Sequence, residues 1–360
     1  MPGGSPIPNR YIKSDLKSHR ILWEEERPIR WPYMKILREY STLKEFYPEI
    51  NPYVEAYKMR ENVWALFQES MDGAGDLWMY VINGPERVLL IDTGFGVGDL
   101  KGLVQHLVGT EKEILVANTH HHYDHAYGNA QFDRCYCHQD EAFSMRRTMN
   151  PHIWDYLFDE NGRNIYTEFD RRDIIPYRDY ELIPIPTGYR FDLGGGYEVE
   201  AIPLRGHSAG QCAYLDHHNH IIFTGDIGGA GRKYEGDPCA DNCTIETLWR
   251  DMQVVVSRLD EIEAMFPGHG MLDVTSSLLR YELDALDRIM KNPENADSIK
   301  TVVRNGQEQV QYAMNIHQGT AVKYNLTNVF RQTPYRRRDH RRKLPCKSAA
   351  SNSALTRRSR

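Results

Sequence analysis

Cysteine is scarce, six in 360 residues, too few for the disulfide framework of a small secreted fold. Long apolar runs are missing as well. No stretch of about 18 uncharged apolar residues occurs, so no membrane-spanning helix is expected. The first thirty residues carry Arg10, Lys13, Asp15, Lys17 and Glu24 to Glu26 with no apolar core segment. That argues against a cleaved secretory signal and for a cytoplasmic protein. Neither sign of charge dominates: 44 Lys plus Arg stand against 50 Asp plus Glu, a formal charge of −6. With 41% hydrophobic and 26% charged residues, disorder, collagen and coiled coil are excluded on composition. The length suits one large or two modest domains with a sizeable core.

The mean charge hides one asymmetry. Residues 331–360 hold eleven Lys or Arg and a single acid. Such a tail can bind nucleic acid, but it reads more simply as a disordered, polar, low-complexity end. The acidic body that remains repels a phosphate backbone, so a nucleic-acid partner is disfavoured.

Residues 1–61 show no strong period and read as an N-terminal extension, with a short helix over Lys35 to Phe46 and room for a homo-oligomer contact. From Asn62 the pattern changes. Val63 to Phe67 and Trp78 to Ile82 are strand-like, Asn83-Gly84-Pro85 is a turn, and Val88 to Ile91 is a continuous apolar run ending at Asp92-Thr93-Gly94. Leu100, Leu103, Val104 and Leu107 have helical spacing, and Ile114 to Ala117 is the next buried strand. Further strands are expected at Tyr197 to Pro203, Gln211 to Leu215, Ile221 to Thr224 and Ala264 to Phe266. Helices are expected at Ile245 to Ile262 and Val274 to Met290. Residues 143–185, rich in Trp154, Tyr156, Phe158, Tyr166, Phe169, Tyr177 and Tyr180, read as an inserted helical or loop segment. It either roofs a cleft or packs against residues 1–60. Residues 296–330 are expected to pack on the body. No repeat of solenoid period is present.

The strand at Ile114 runs into Asn118-Thr119-His120-His121-His122-Tyr123-Asp124-His125. His120 and His122, two apart at a strand end, point one way and can hold one ion, while Asp124 and His125 on the following turn can hold a second beside it. Three more candidates follow strands: His207 in Gly206-His207-Ser208, Asp226 in Thr224-Gly225-Asp226, and His269 in Gly268-His269-Gly270. One such histidine is usually innocent. Five with two aspartates, flanked by glycines that let the backbone close in, fit a dinuclear metal site in type and number.

These motifs, in this order and with Leu90-Ile91-Asp92-Thr93-Gly94 upstream, resemble the metallo-β-lactamase superfamily over about residues 62–272. The resemblance implies an α/β fold, an αββα sandwich of two mixed β-sheets flanked by helices, with a catalytic domain over 62–295. It implies that His120, His122 and His207 bind one ion, that Asp124, His125 and His269 bind the other, and that Asp226 bridges them. Asp92 would orient ligands, and His121 fills a variable position. The implied reaction is hydrolysis of an ester, thioester or lactone carbonyl in a small-molecule substrate by a metal-bridging hydroxide, with Asp124 taking the proton. The donor set suits two Zn²⁺ first, and Fe or Mn as well. Asp226 groups the chain with glyoxalase II-like thioesterases and lactonases. Alternatives are a mononuclear iron persulfide dioxygenase-like activity, or hydrolysis of a β-lactam or phosphodiester. Cys135 and Cys137 read as core, Cys239 and Cys243 as free thiols, and Gly194 to Gly196 as a hairpin turn. No cluster of Lys and Arg lies near the motifs to clamp a glutathione- or phosphate-like anion; Arg205, Arg232 and Lys233 are the nearest and leave such a substrate only weakly open.

Overall fold

The computed structural model describes residues 7–8, 14–22, 32–73, 75–109, 111–304, 307–316 and 320–331. Nearly all of the basic tail and much of residues 1–31 therefore lie outside the described residues. Eight strands form the first sheet, in the order Glu181–Ile185, Arg134–His138, Glu113–Ala117, Arg87–Ile91, Leu77–Asn83, Val63–Gln68, Val54–Arg60 and Lys44–Glu45. Six form the second: Arg190–Asp192, Glu198–Pro203, Cys212–Asp216, Ile221–Gly225, Ala264–Pro267 and Val274–Thr275. Both are mixed. Arg87–Ile91 pairs in parallel with Glu113–Ala117, across the helix Leu100–Val108, and Ile221–Gly225 pairs in parallel with Ala264–Pro267, across the helix Ile245–Val256.

The sheets face each other through Phe67, Trp78 and Tyr80 on one side and Tyr214, Phe223 and Phe266 on the other. Tyr80 meets the Phe223 and Phe266 rings at 4.8 and 5.5 Å between centroids. Because side chains alternate along a strand, Leu66, Met79, Val81 and Leu90 point outward, onto Leu103, Val104, Trp154 and Leu157. The outer face of the second sheet, with Ala213, Leu215 and Ile222, packs on Leu248, Met252, Leu279 and Leu286. That is the αββα sandwich. No helix among the described residues is long and apolar enough to cross a membrane.

Several elements differ from expectation. The helix expected from Lys35 runs Pro32–Tyr40, since proline suits a first helical turn. The helix expected from Val274 opens only at Ser277, because Val274–Thr275 pairs with Ala264 and Met265 as an edge strand. Ile245–Val256 stops six residues early and gives way to a turn at Leu259–Glu261. The inserted segment begins as the helix Ala142–Thr148 and ends as the strand Glu181–Ile185, parallel to Arg134–His138. Pro184 interrupts that strand's donors, which an edge position tolerates. Its aromatics do two jobs: Trp154, Phe169 and Tyr180 are buried in the outer core, whereas Tyr156 and Tyr166 stay 38% and 39% exposed. The segment also packs on residues before 60, since Tyr53 Oη and Lys17 Nζ both reach Asp173 at 2.5 Å.

After the helix Ser277–Lys291, three antiparallel strands, Ser298–Arg304, Gln307–Asn315 and Ala321–Tyr324, form a small sheet. Met314, Ile316, Val322 and Tyr324 bury against the helices of the second layer. Cys135 and Cys137 are buried on their strand, and Cys239 and Cys243 are not joined in a disulfide.

Candidate metal centre

Five strand ends converge at one edge of the sandwich. Arg87–Ile91 delivers Asp92, whose backbone sits at a φ of 63°, an arrangement that costs energy for a residue with a Cβ and needs several bonds to hold it. Those bonds exist. Asp92 accepts from Thr119 N and Oγ1 at 2.7 and 2.8 Å, and its Oδ2 lies 2.7 Å from His125 Nδ1. This pins the chain beyond Glu113–Ala117 and turns the other nitrogen of His125 outward. Thr93 N and Asn118 Nδ2 both donate to the His125 carbonyl.

His120 and His122 do not lie on the strand, as alternation suggested. The strand ends at Ala117, and the two rings meet across a loop whose last residue, His122, immediately precedes the four-residue helix Tyr123–Ala126. That helix carries Asp124 and His125. The second sheet supplies His207 from the turn after Glu198–Pro203, Asp226 directly after Ile221–Gly225, and His269 after Ala264–Pro267. Two glycines make the approach possible. A Cβ on Gly225, itself at a φ of 59°, would come within 2.7 Å of Thr119 Cβ. One on Gly268 would lie 2.6 Å from Asp226 Oδ1 and 2.8 Å from His125 Cε1.

All seven predicted residues come together, in two adjoining groups: His120, His122, His207 and Asp226, and then Asp124, His125 and His269, each with its donor atoms within 4.8 Å of one another. His122 Nδ1 lies 3.0 Å from His120 Nε2 and 2.9 Å from His207 Nε2. In the other group, His269 Nε2 is 3.4 Å from His125 Nε2 and 3.2 Å from Asp124 Oδ2. Asp226 stands between them, at 3.4 Å from His207 Nε2, 3.5 Å from His125 Nε2 and 3.3 Å from His269 Nε2.

The groups differ electrostatically. Burial drives His120 and His122 well below the ordinary imidazole value, helped by neighbouring imidazoles, and lowers His207 too. For His125 burial acts the same way, but Asp124, Asp92 and Asp226 outweigh it and push the pKa up to about 10. His269 is likewise held well above its ordinary value, against burial, by Asp226 and Asp124. Burial would raise Asp226, yet His269 and His125 hold it well below the carboxylate range.

This arrangement fits divalent-cation binding. Three neutral imidazoles aim nitrogens at one another, where a shared proton satisfies only one pair, and Asp226 Oδ1 is buried with no hydrogen-bond partner. Nitrogen and carboxylate donors without thiolate suit Zn²⁺, Fe or Mn.

One important residue escaped the sequence reading. Glu141, fully buried, accepts from His121 N at 3.0 Å, Ser208 Oγ at 2.9 Å and Gly210 N at 2.6 Å, and its Oε1 lies 2.5 Å from His121 Nδ1. It thereby locks the His120–His122 loop to the turn that carries His207, and gives His121 a structural part. Its only local signal is a polar run, His138-Gln139-Asp140-Glu141, which looks like any solvated helix start. The basic residues sort themselves as well. Arg205 is committed to Asp251 and Asp140, and Lys233 to Asp241. Arg232 and Arg147 instead lie over the Tyr234 ring, 5.5 and 4.7 Å from its centroid, and Tyr234 meets His121 edge-on at 5.3 Å.

The chain is similar to several known proteins. The human acyl-coenzyme A thioesterase MBLAC2 is 28% identical over 215 residues, covering 56% of this chain and 75% of that protein. A hydroxyacylglutathione hydrolase from Ectopseudomonas mendocina is 25% identical, over 47% of this chain and 55% of its own length. A solved metallo-beta-lactamase from Pontibacter korlensis aligns with 65% of this chain and 99% of its own at a TM-score of 0.46 and 18% identity. The family model of the metallo-beta-lactamase superfamily matches residues 72–295, a span that holds all seven clustered residues, and the chain belongs to that superfamily.

Proposed function

We propose that the protein is a dinuclear metal-dependent thioesterase whose substrate has an anionic leaving group. The carrying observation is the pair of adjoining donor sets, with Asp226 in reach of both, beside two arginines that have no acidic partner among the described residues. His120, His122 and His207 would hold one ion, Asp124, His125 and His269 the other, and Asp226 both. Two such ions, Zn²⁺ by donor chemistry, supply an acidified water and a Lewis acid for the carbonyl oxygen. The chain's own groups do the rest. Asp124, whose Oδ2 faces His269 Nε2 at 3.2 Å, would take the proton of the attacking water on its other oxygen and pass it to the departing sulfur. Asp92 fixes the tautomer of His125 through Nδ1. Tyr123, its ring stacked on His122 at 6.1 Å and 5.5 Å from Tyr156, forms an apolar wall for the acyl side. Arg147 and Arg232 receive the negative charge of the thiol moiety.

One named relative is an acyl-coenzyme A thioesterase by title and the other a hydroxyacylglutathione hydrolase, which supports a thioester above an ester or lactone. A panel of acyl-CoA esters, S-lactoylglutathione, a p-nitrophenyl ester, a γ-lactone, a cephalosporin and a phosphodiester, assayed with metal analysis, tests the proposal. We expect two ions per chain and chelator-sensitive cleavage of a charged thioester. In Arg147→Gln/Arg232→Gln, KM should rise about tenfold with kcat held, the loss of roughly 1.4 kcal/mol of binding. A single equivalent of iron with oxygen uptake on a persulfide, or a phosphodiester outrunning every thioester, would overturn it.

A further inference from the structure

The helix Pro32–Tyr40 precedes the stretch that matches the family, residues 72–295, so the family likeness gives it no role. Its buried side is unusual in being ionic. Arg38 Nε and Nη2 donate to the two oxygens of Glu55 at 2.9 and 3.0 Å, with both side chains almost wholly buried. The remaining nitrogen, Nη1, donates to Glu69 Oε1 at 2.9 Å. A fully buried bidentate pair fixes the guanidinium, so that third donor is aimed rather than mobile.

Glu69 stands at the end of the strand Val63–Gln68 and opens a turn that Asp76 closes by accepting from Ser70 N at 3.1 Å. The Asp76 carbonyl then lies 2.7 Å from His269 Nδ1. A carbonyl can only accept, so the contact places a proton on Nδ1 and leaves Nε2 facing Asp124 and Asp226 at 3.2 and 3.3 Å. The same helix reaches the other side of the histidine. Tyr33 Oη donates to the Leu272 carbonyl at 3.5 Å, three residues past His269. Between these struts, Trp78 N and Nε1 donate to the Gly268 and Gly270 carbonyls, both at 2.8 Å.

We infer that the helix Pro32–Tyr40 is a positioning element of the metal centre. Arg38 acting through Glu69, and Tyr33 acting through Leu272, brace the two segments that aim His269 at its carboxylate partners. The role at an ion rests on the dinuclear reading above; the aim of the imidazole does not. Arg38 itself is a poor probe, because removing it strands the buried Glu55 charge and endangers the fold. Glu69→Gln with Tyr33→Phe leaves the Arg38–Glu55 pair intact and removes one charge and one hydroxyl.

Two measurements on the full chain decide it. In metal-free protein, nitrogen-15 and proton NMR of the histidine rings, assigned with His269→Gln, should show a protected His269 Nδ1 proton that exchanges at least tenfold faster in the double variant. In zinc-loaded protein, chelator competition should release the second ion at about tenfold lower chelator concentration, with the first ion and the urea midpoint of the metal-free protein unchanged. An unaltered Nδ1 proton would overturn the bracing. So would both ions weakening in step with a fall in the urea midpoint, the mark of general destabilisation. Wild-type protein that takes up a single ion would overturn the dinuclear reading alone, since the imidazole signal still decides the bracing.

Discussion

At the scale of the residue, Glu282 is the clearest cost in the fold. It sits on the buried side of the helix Ser277–Lys291, and its Oε1 has no hydrogen-bond partner. Burial pushes its pKa from 4.5 up to about 8. The folded state therefore keeps a proton that the unfolded chain releases. This group's contribution is fully favourable below about pH 4.5 and declines as the pH rises from there toward 8. Glu282→Gln should flatten that part of the profile and raise stability at pH 8 by roughly 3 kcal/mol, at 1.36 kcal/mol per pKa unit with some relaxation allowed. Urea unfolding of both proteins between pH 5 and 8 checks this, and parallel profiles would contradict it. Glu141 is the opposite case, a buried carboxylate with every approach satisfied. Neither residue announces itself in the sequence, because a glutamate's letter says nothing about whether donors surround it. The seven clustered residues did, since histidine and aspartate after apolar strands, beside glycine, have few other uses in such number.

At the scale of the element, strands were read more reliably than helix ends. Val63–Gln68, Leu77–Asn83 and Arg87–Ile91 are buried along nearly their whole length, and Glu113–Ala117 over its last three residues, and continuous apolar runs say so directly. Helix limits depend on what competes for the flanking residues. Val274–Thr275 was lost to a sheet edge that no local pattern advertises. The late sheet, Ser298–Arg304 with Gln307–Asn315 and Ala321–Tyr324, is cheap to test by truncation. Ending the chain at residue 295 would uncover the faces now covered by Met314, Ile316, Val322 and Tyr324. Each such side chain is worth about 1.5–3 kcal/mol, so the truncated protein should melt far lower or fail to fold. Ending it at residue 331 should leave the melting temperature where it is. A stable, active 1–295 fragment would show that the small sheet is dispensable.

At the scale of the whole molecule, the metal centre is where the two sheets are joined. His120, His122, Asp124 and His125 follow strands of the first sheet, and His207, Asp226 and His269 follow strands of the second. Ions bound there would tie the layers together, and a ligand at 1,000 times its dissociation constant stabilises by about 4 kcal/mol. Chelation should therefore lower the melting temperature by several degrees and zinc should restore it; a melting curve indifferent to both would argue against ions between the sheets. The sequence by itself determined the strand core and the identity of the seven clustered residues, because apolar runs and donor-type side chains act through their immediate chemistry; the αββα class followed from the resemblance of those motifs to a known superfamily. Only the tertiary structure decided how those residues are held: Asp92 on Thr119 and His125, Glu141 between two loops, the Asp76 carbonyl on His269, and Gly268 giving way to Asp226. Each of these is a contact between segments far apart in the chain, and hydrogen-bond geometry at 2.5–3.0 Å exists only once packing has brought them together.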